Sequence, residues 1–254
     1  MTIIDALILG IIQGLTEFLP ISSSGHLVIG QELLGITIPG NHFEVMVHLG
    51  TLCSVITIFR FDIWQLLKTL TSSDTKKYIG AIIIGTIPAV IFGLVFKDLI
   101  TASFDNIKIV ALTLLITGLV LLSTKFVKHG SKNISIGRGF IIGIAQAIAI
   151  IPGISRSGMT ISMGLFLGIK SEKAAKFSFL LAIPAIAGAG VLTSLDLSEP
   201  ATVSLNWVAL LTGFLSSYIV GAISLKWLLG LIETGKFHWF GVYCIFIGFL
   251  TWLI

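Results

Sequence analysis

The chain has 254 residues, of which 55% are hydrophobic and 11% charged, with a mean hydropathy of +1.05. That composition excludes an ordinary water-soluble domain and reads as an integral membrane protein. The net charge of +4 is spread over short loops with no basic block interleaved with aromatics, which argues against nucleic acid as a partner.

The first 35 residues place EFLPISSSGH between two apolar stretches, IIDALILGIIQGL and LVIGQELLGI. No cleavable leader is expected, so this first helix is read as part of the fold. Pro20 removes an amide donor and biases its predecessor away from helix, so a break is predicted there. Six full spans follow: VMVHLGTLCSVITIF, AIIIGTIPAVIFGLVF, IVALTLLITGLVLL, SFLLAIPAIAGAGVL, LNWVALLTGFLSSYIVGAISL and FGVYCIFIGFLTWLI. Cys53 and Cys244 fall within spans and read as small buried hydrophobes, with no disulfide or metal-ligand pattern.

Thirteen of the sixteen Lys and Arg fall in Arg60 to Lys77, Lys125 to Arg138, Lys170 to Lys176 and Lys226 to Lys236. The positive-inside rule makes these stretches cytoplasmic. Both termini then lie outside, provided residues 1–35 and 138–170 each enter and leave on one face.

Between the third and fourth spans, GIAQAIAIIPGISRSGMTISMG, residues 143–164, can be laid on GIIQGLTEFLPISSSGHLVIG at a constant offset of 133. Gly10, Gln13, Ser22, Ser24 and Gly25 fall on Gly143, Gln146, Ser155, Ser157 and Gly158. The first copy enters from outside and the second from the cytoplasm, which predicts inverted repeats, about 1–124 and 138–254, within one membrane domain, 1–254. The fold class is therefore all-α, with six full transmembrane helices and two broken re-entrant hairpins whose tips line a cavity. TIPAVIFG near Pro88 and AIPAIAGAG near Pro184 form a weaker echo of the same duplication.

Each polar cluster opens a half-helix whose amino end attracts anions, and Arg156 adds a planar fork matched to phosphate. Charges near the midplane need compensation, roughly 2.5 to 3.5 kcal/mol each on the lenient scale, so Glu17 and Arg156 must be paired with each other or with a ligand. Gln13 and Glu17 share a helix face, as do Ser22 or Ser23 and His26. The serines also fit helix caps, and His26 fits a neutral ring held by a backbone carbonyl. Helix-to-helix hydrogen bonds are the expected use of His48 and Gln146. His42, His129 and His238 receive no role, and Trp207, Trp239 and Trp252 suit interfacial belts.

QGLTEFLPISSSGH together with PGISRSG resembles the bacterial undecaprenyl-diphosphate phosphatase family, known also for bacitracin resistance, over essentially the whole chain. The family's first motif, [E/Q]xxxE followed by PxSSxGH, maps to Gln13, Glu17, Pro20, Ser22, Ser23, Gly25 and His26. Its second, PGxSRSxxT, maps to Pro152, Gly153, Ser155, Arg156, Ser157 and Thr160. Many relatives carry Glu where this chain has Gln13, so Glu17 is the sole acid of the pair. The resemblance implies hydrolysis of a polyprenyl diphosphate to the monophosphate, which recycles the carrier for cell-wall synthesis. It also implies the bacterial inner membrane, a site open to the outer face, and Mg²⁺ or Ca²⁺. On this reading Glu17, with Gln13, holds the metal. Ser22, Ser24, Gly25, Ser155, Arg156, Ser157 and Thr160 bind phosphate, and Arg156 also stabilises the transferred phosphoryl. Ser23 attacks with His26 as base, or His26 attacks or activates water directly. Membrane lipid surrounds the protein, and a homodimer is compatible with the sequence.

An inverted-repeat transporter or flippase of a polyprenyl phosphate is the alternative, since midplane half-helices also build carriers. The type-2 phosphatidic acid phosphatases share SSGH-like and SRS-like stretches, but their later His and Asp have no counterpart after Arg156.

Overall fold

The computed structural model describes residues 1–36, 42–104, 106–127, 130–196 and 206–253. Among these, the regular secondary structure is helical apart from one isolated bridge between Lys132 and Ile169. His129 lies outside the described residues.

The first hairpin consists of α1 (Ile3–Phe18) and α2 (Ser23–Leu34). A capping box starts α1: Thr2 Oγ1 accepts from the Asp5 amide at 3.2 Å and Asp5 Oδ2 accepts from the Thr2 amide at 2.7 Å. The helix stops where Leu19 turns extended before Pro20. α2 ends at Gly35 in the left-handed region. Next come α3 (His42–Ile58) and α4 (Arg60–Lys68), bent by 65° to one another, then α5 (Ser73–Val95), the short α6 (Lys97–Phe104) and α7 (Ile107–Ser123). The second hairpin is α8 (Ile136–Ile148) and α9 (Arg156–Phe166), followed by α10 (Ser171–Asp196), α11 (Trp207–Glu233) and α12 (Trp239–Trp252).

Four helical stretches are long and apolar enough to cross a membrane: Ser73–Val95, Ile107–Phe126, Ser171–Leu192 and Trp207–Glu233; the bent pair α3 and α4 makes a fifth. The sixth expected span falls on α12, which has 14 residues and reaches about 21 Å, short of the roughly 30 Å hydrocarbon core. Large apolar side chains such as Leu119, Ile219, Ile223 and Phe246 are more than half exposed along these helices, as expected of surfaces solvated by lipid. The protein is thus a multi-pass, all-helical membrane protein.

Each hairpin's first helix packs along a long helix from the opposite half of the chain, α1 along α11 and α8 along α5. The approach is very close: a Cβ on Gly10 would lie 2.0 Å from Ser216 Oγ, and one on Gly143 would lie 2.1 Å from the Gly85 carbonyl oxygen. The two tips meet. Ser157 Oγ donates to the Leu19 carbonyl at 3.2 Å, and a Cβ on Gly25 would lie 3.1 Å from Gly153 Cα.

α7 holds the second tip through Thr113 Oγ1 on the Pro152 carbonyl (2.6 Å) and Thr117 Oγ1 on the Gly153 carbonyl (3.0 Å). Cys244 of α12 donates its thiol to the Pro20 carbonyl of the first tip at 3.5 Å. Carbonyls at the two helix breaks are thereby satisfied inside the protein, as a low-dielectric surround demands.

The basic stretches are tied to one another. Lys176 pairs with Asp62, Lys173 Nζ donates to Asn133 Oδ1 at 2.7 Å, and the Lys132 amide donates to the Gly168 carbonyl at 3.0 Å. Elsewhere, Lys108 Nζ reaches the Trp252 carbonyl at 3.3 Å, bringing the start of α7 to the end of α12.

Gly153 has φ +87°, and a Cβ there would stand 2.0 Å from Thr113 Oγ1. Gly153→Ala should therefore cost more than about 2 kcal/mol through left-handed backbone and overpacking together. Gly188→Ala, with nothing within 4 Å of the added Cβ, should be neutral or stabilising. Thermal unfolding of both variants in detergent checks the contrast.

Candidate active site

Glu17 is the focus of the tip junction, its side chain only 6% exposed. It stands near the end of α1, and three elements converge on its carboxylate. Oε1 accepts from Arg156 Nη2 at 2.5 Å. Oε2 accepts from Gln13 Nε2, one turn back on α1, at 3.0 Å and from Ser23 Oγ at 2.6 Å. His48 of α3 faces the same oxygen, with Nε2 4.0 Å away. Arg156 and Ser23 are each the first residue of their helix, α9 and α2. They also fall on one another at the offset of 133 that relates the two hairpins.

The caps of the two half-helices match. Ser22 Oγ accepts from the Gly25 amide at 3.3 Å and lies 3.3 Å from Ser24 Oγ. Ser155 Oγ accepts from the Gly158 amide at 3.1 Å and lies 3.3 Å from Ser157 Oγ. Ser22 and Ser155 are thus N-caps, and the first-turn amides of α2 and α9 that they leave over have no intrahelical acceptor. Two positive helix ends and one guanidinium therefore surround Glu17. Ser22 has φ 70°, the one positive value among described non-glycine residues. Its conformation is held from both ends, because its carbonyl accepts from the His26 amide at 3.2 Å and from the His26 ring as well.

His26 Nδ1 lies 2.8 Å from that Ser22 carbonyl, so Nδ1 carries the proton, and Nε2 is free to accept from Tyr243 Oη at 2.9 Å. The rings of His26 and Tyr243 stack at 5.7 Å. Both ring nitrogens are engaged, and among the described residues His26 makes no hydrogen bond to Ser23. The serine hydroxyl points to Glu17 instead.

Thr160 is fully buried behind the site. Its hydroxyl donates to the Arg156 carbonyl at 2.7 Å and pairs with Ser178 Oγ at 2.5 Å, which commits it to the backbone and to α10. Ser157 is turned toward the first tip, as described above. Ser24, half-buried, Gly25 and Arg156 remain at the junction.

His48 departs from its expected use: Nδ1 binds the Glu44 carbonyl of its own helix at 2.7 Å, and its ring turns toward Glu17. Gln146 likewise makes no helix-to-helix bond, since both of its buried amide atoms lack a partner. The acid that Gln13 has one turn on is replaced by Ile150 in the second hairpin. His48 and Tyr243 are the site residues that the motifs miss. A polar residue interrupting VMVHLGTL was the available signal for His48; Tyr243, inside an aromatic-rich helix, had none.

Three atoms bear on ligand binding. Arg156 Nη1 and Gln13 Oε1 are buried without partners, and His48 presents Nε2 as a lone pair. Among the described residues no three His, Cys, Asp or Glu stand together as a metal cluster. The orphaned Gln13 Oε1 beside the Glu17 carboxylate is a pair of oxygen donors of the kind that suits a hard divalent ion. Because Oε2 already accepts two hydrogen bonds, Gln13 is the group able to yield: turning its amide removes a donor and presents an oxygen.

Breaking the buried pair should be costly. Glu17→Ala leaves the Arg156 charge uncompensated and should lose about 3 to 5 kcal/mol of stability, whereas Glu17→Ala/Arg156→Ala should recover at least half of that loss. Unfolding in detergent measures both.

Comparison with known sequences matches residues 6–250 to the family described as "Bacitracin resistance protein BacA". The chain is similar to an undecaprenyl-diphosphatase of Christiangramia forsetii, 42% identical over 255 residues that cover 98% of this chain and 96% of the relative. An undecaprenyl-diphosphatase of Korarchaeum cryptofilum is 44% identical over 260 residues, covering 98% and 97%. Undecaprenyl-diphosphatase 3 of Bacillus anthracis is 40% identical over 260 residues, covering 98% and 96%.

Proposed function

The chain belongs to the bacitracin resistance protein BacA family, and from that premise we propose that it hydrolyses undecaprenyl diphosphate to the monophosphate and inorganic phosphate. The observation that carries the reading is the Ser23 hydroxyl donating to the carboxylate of Glu17 while Arg156 holds the other oxygen. That is a serine beside a base and an anion-binding fork, the set that phosphoryl transfer requires. A carrier that merely bound a phosphate would gain nothing from the serine–carboxylate contact, and the relatives are named as diphosphatases, so transport is not the favoured reading.

In this scheme the terminal phosphoryl sits against Arg156 Nη1 and the leading amides of α2 and α9, with Ser22, Ser24 and Gly25 shaping one side and Ser155 and Ser157 the other. Ser23 Oγ attacks phosphorus, its proton passes to Glu17 Oε2, and the bridging oxygen leaves on the polyprenyl monophosphate. Water then attacks the phosphoserine, His26 takes the water's proton, and Ser23 Oγ recovers its own from Glu17. For His26 to act, Tyr243 must release Nε2. Glu17 is thus a better placed base for Ser23 than His26 is, because only Glu17 is in contact with the hydroxyl. Glu17 and Gln13 would hold Mg²⁺ or Ca²⁺, which when bound neutralises charge on the diphosphate.

The proposal extends to the cell. The enzyme recycles the lipid carrier of peptidoglycan synthesis, supports cell shape and confers bacitracin resistance from the bacterial inner membrane, with its site open to the outer face. α1–α2 and α8–α9 are re-entrant hairpins of inverted repeats, about 1–124 and 138–254, in one domain. The reciprocal packing of α1 on α11 and α8 on α5, and the matching caps of Ser22 and Ser155, support that arrangement. The ties joining Asp62, Asn133, Gly168 and Lys176 support a common cytoplasmic side. A homodimer is also part of the proposal.

Purified protein should release phosphate from undecaprenyl diphosphate and stop when a chelator is added. Ser23→Ala should lose at least about 10²-fold in turnover while still binding a methylene-bridged analogue; retention of a quarter of the activity would remove Ser23 as nucleophile. For topology, an impermeant thiol reagent should label a cysteine at Thr2 from outside intact cells and one at Lys132 only after permeabilisation. The reverse pattern would sink the inverted arrangement.

A further inference from the structure

We propose that His48 is a third protein ligand of the divalent cation, completing a mixed set with Glu17 and Gln13. This rests on the metal assignment made above.

The tautomer supplies the first step. A backbone carbonyl can only accept, so the 2.7 Å contact with Glu44 places a proton on Nδ1 and leaves Nε2 of the neutral ring with its lone pair. That lone pair faces an oxygen that is itself an acceptor, Glu17 Oε2, at 4.0 Å. Two facing acceptors repel unless something electropositive lies between them. A protonated imidazole would close to a charge-assisted bond of about 2.7 to 2.9 Å, and the observed gap is more than 1 Å wider. Bonds of about 2.0 to 2.2 Å from one small divalent ion to a carboxylate oxygen and an imidazole nitrogen together span up to about 4.2 Å. The gap is therefore the size of an ion linking the two at a wide angle.

Accessibility agrees with this. The His48 side chain is 35% exposed and that of Glu17 6%, so the imidazole is the more accessible of the two groups. The carbonyl on Nδ1 is the usual outer contact of a metal-binding histidine, fixing its tautomer and orientation. Gln13 Oε1, buried and unpartnered, supplies the remaining oxygen once its amide turns, since Nε2 is the atom that faces Glu17. In the second hairpin Ile150 stands where Glu17 does in the first, so that tip offers no carboxylate to an ion.

A nitrogen among hard oxygens shifts selectivity. An O,O,N set accepts Mn²⁺ readily and favours it over Ca²⁺, which prefers oxygen alone.

The test uses Mn²⁺ as probe on the full-length protein in lipid nanodiscs, with and without methylenediphosphonate. Electron spin-echo modulation of bound Mn²⁺ should show directly coordinated ¹⁴N in the native protein. It should vanish in His48→Gln and persist in His26→Gln. Mn²⁺ affinity should fall about tenfold or more in His48→Gln, with a smaller change for Ca²⁺. Thermal unfolding of His48→Gln confirms that the variant is folded; should it be unfolded, His48→Asn takes its place with the same expected losses. Mn²⁺ that binds through Glu17 but shows no ¹⁴N, or ¹⁴N that survives loss of His48, overturns this inference alone. Absence of bound Mn²⁺ in the native protein under both conditions overturns the Glu17 and Gln13 metal assignment together with it.

Discussion

A carboxylate buried among apolar helices is the constraint on which the rest of the structure depends. Glu17 cannot remain ionised there unless its charge is met, and each of its oxygens is met by a group from a different part of the chain. Arg156 has the converse problem and the same solution. The pair ties two hairpins that are far apart in sequence, and the closeness this demands is provided by glycines at the tips and by α7 and α12 behind them. The tips that meet to neutralise Glu17 are also the tips that carry the first-turn amides of α2 and α9.

The two hairpins share a scaffold and divide the chemistry. Both begin their second helix with a serine cap, a paired hydroxyl two residues on and a glycine pressed against the other tip. At the position between cap and paired hydroxyl, one hairpin has Ser23 and the other Arg156, and both turn to Glu17. One shared geometry thus brings a hydroxyl to Glu17 from one side and a guanidinium from the other. The acid itself is not duplicated, because Ile150 stands where its counterpart would be, and Gln146 is left without a donor or acceptor to engage. The asymmetry leaves Glu17 as the single acid between the two tips.

Polar atoms that are buried and unpartnered are costly in any fold, roughly 1 to 3 kcal/mol each. Arg156 Nη1 and Gln13 Oε1 are both in that condition and both border Glu17. Their cost is consistent with a site organised in advance for a charged ligand, since donors fixed before binding need no reorganisation when charge develops. The strained Ser22 belongs to the same economy: its positive φ turns its carbonyl onto His26 and fixes that ring's tautomer.

Much of this was legible from residue order alone. Hydropathy determined that the chain lies in a membrane, since runs of apolar residues have no other stable solvent. The offset alignment and the two prolines marked where both helix breaks fall, and charge economy required Glu17 and Arg156 each to be met by the other or by a ligand without deciding which. Composition could not show how long each helix would run: the apolar stretch that begins at Phe240 falls on α12, whose 14 residues are too few to cross the hydrocarbon core. Nor could spacing show which group Ser23 addresses. Ser23 and His26 share a helical face, yet the Ser22 carbonyl and Tyr243 capture both ring nitrogens, and Glu17 takes the hydroxyl. Thr160, in the motif, is turned toward Ser178 of α10, while His48, outside it, is turned toward Glu17. Sequence determines which residues must leave the lipid, because that is a matter of their own chemistry. Which of them face one another is decided by the packing of α3, α10 and α12 around the tips, and that depends on contacts between segments that no local pattern records.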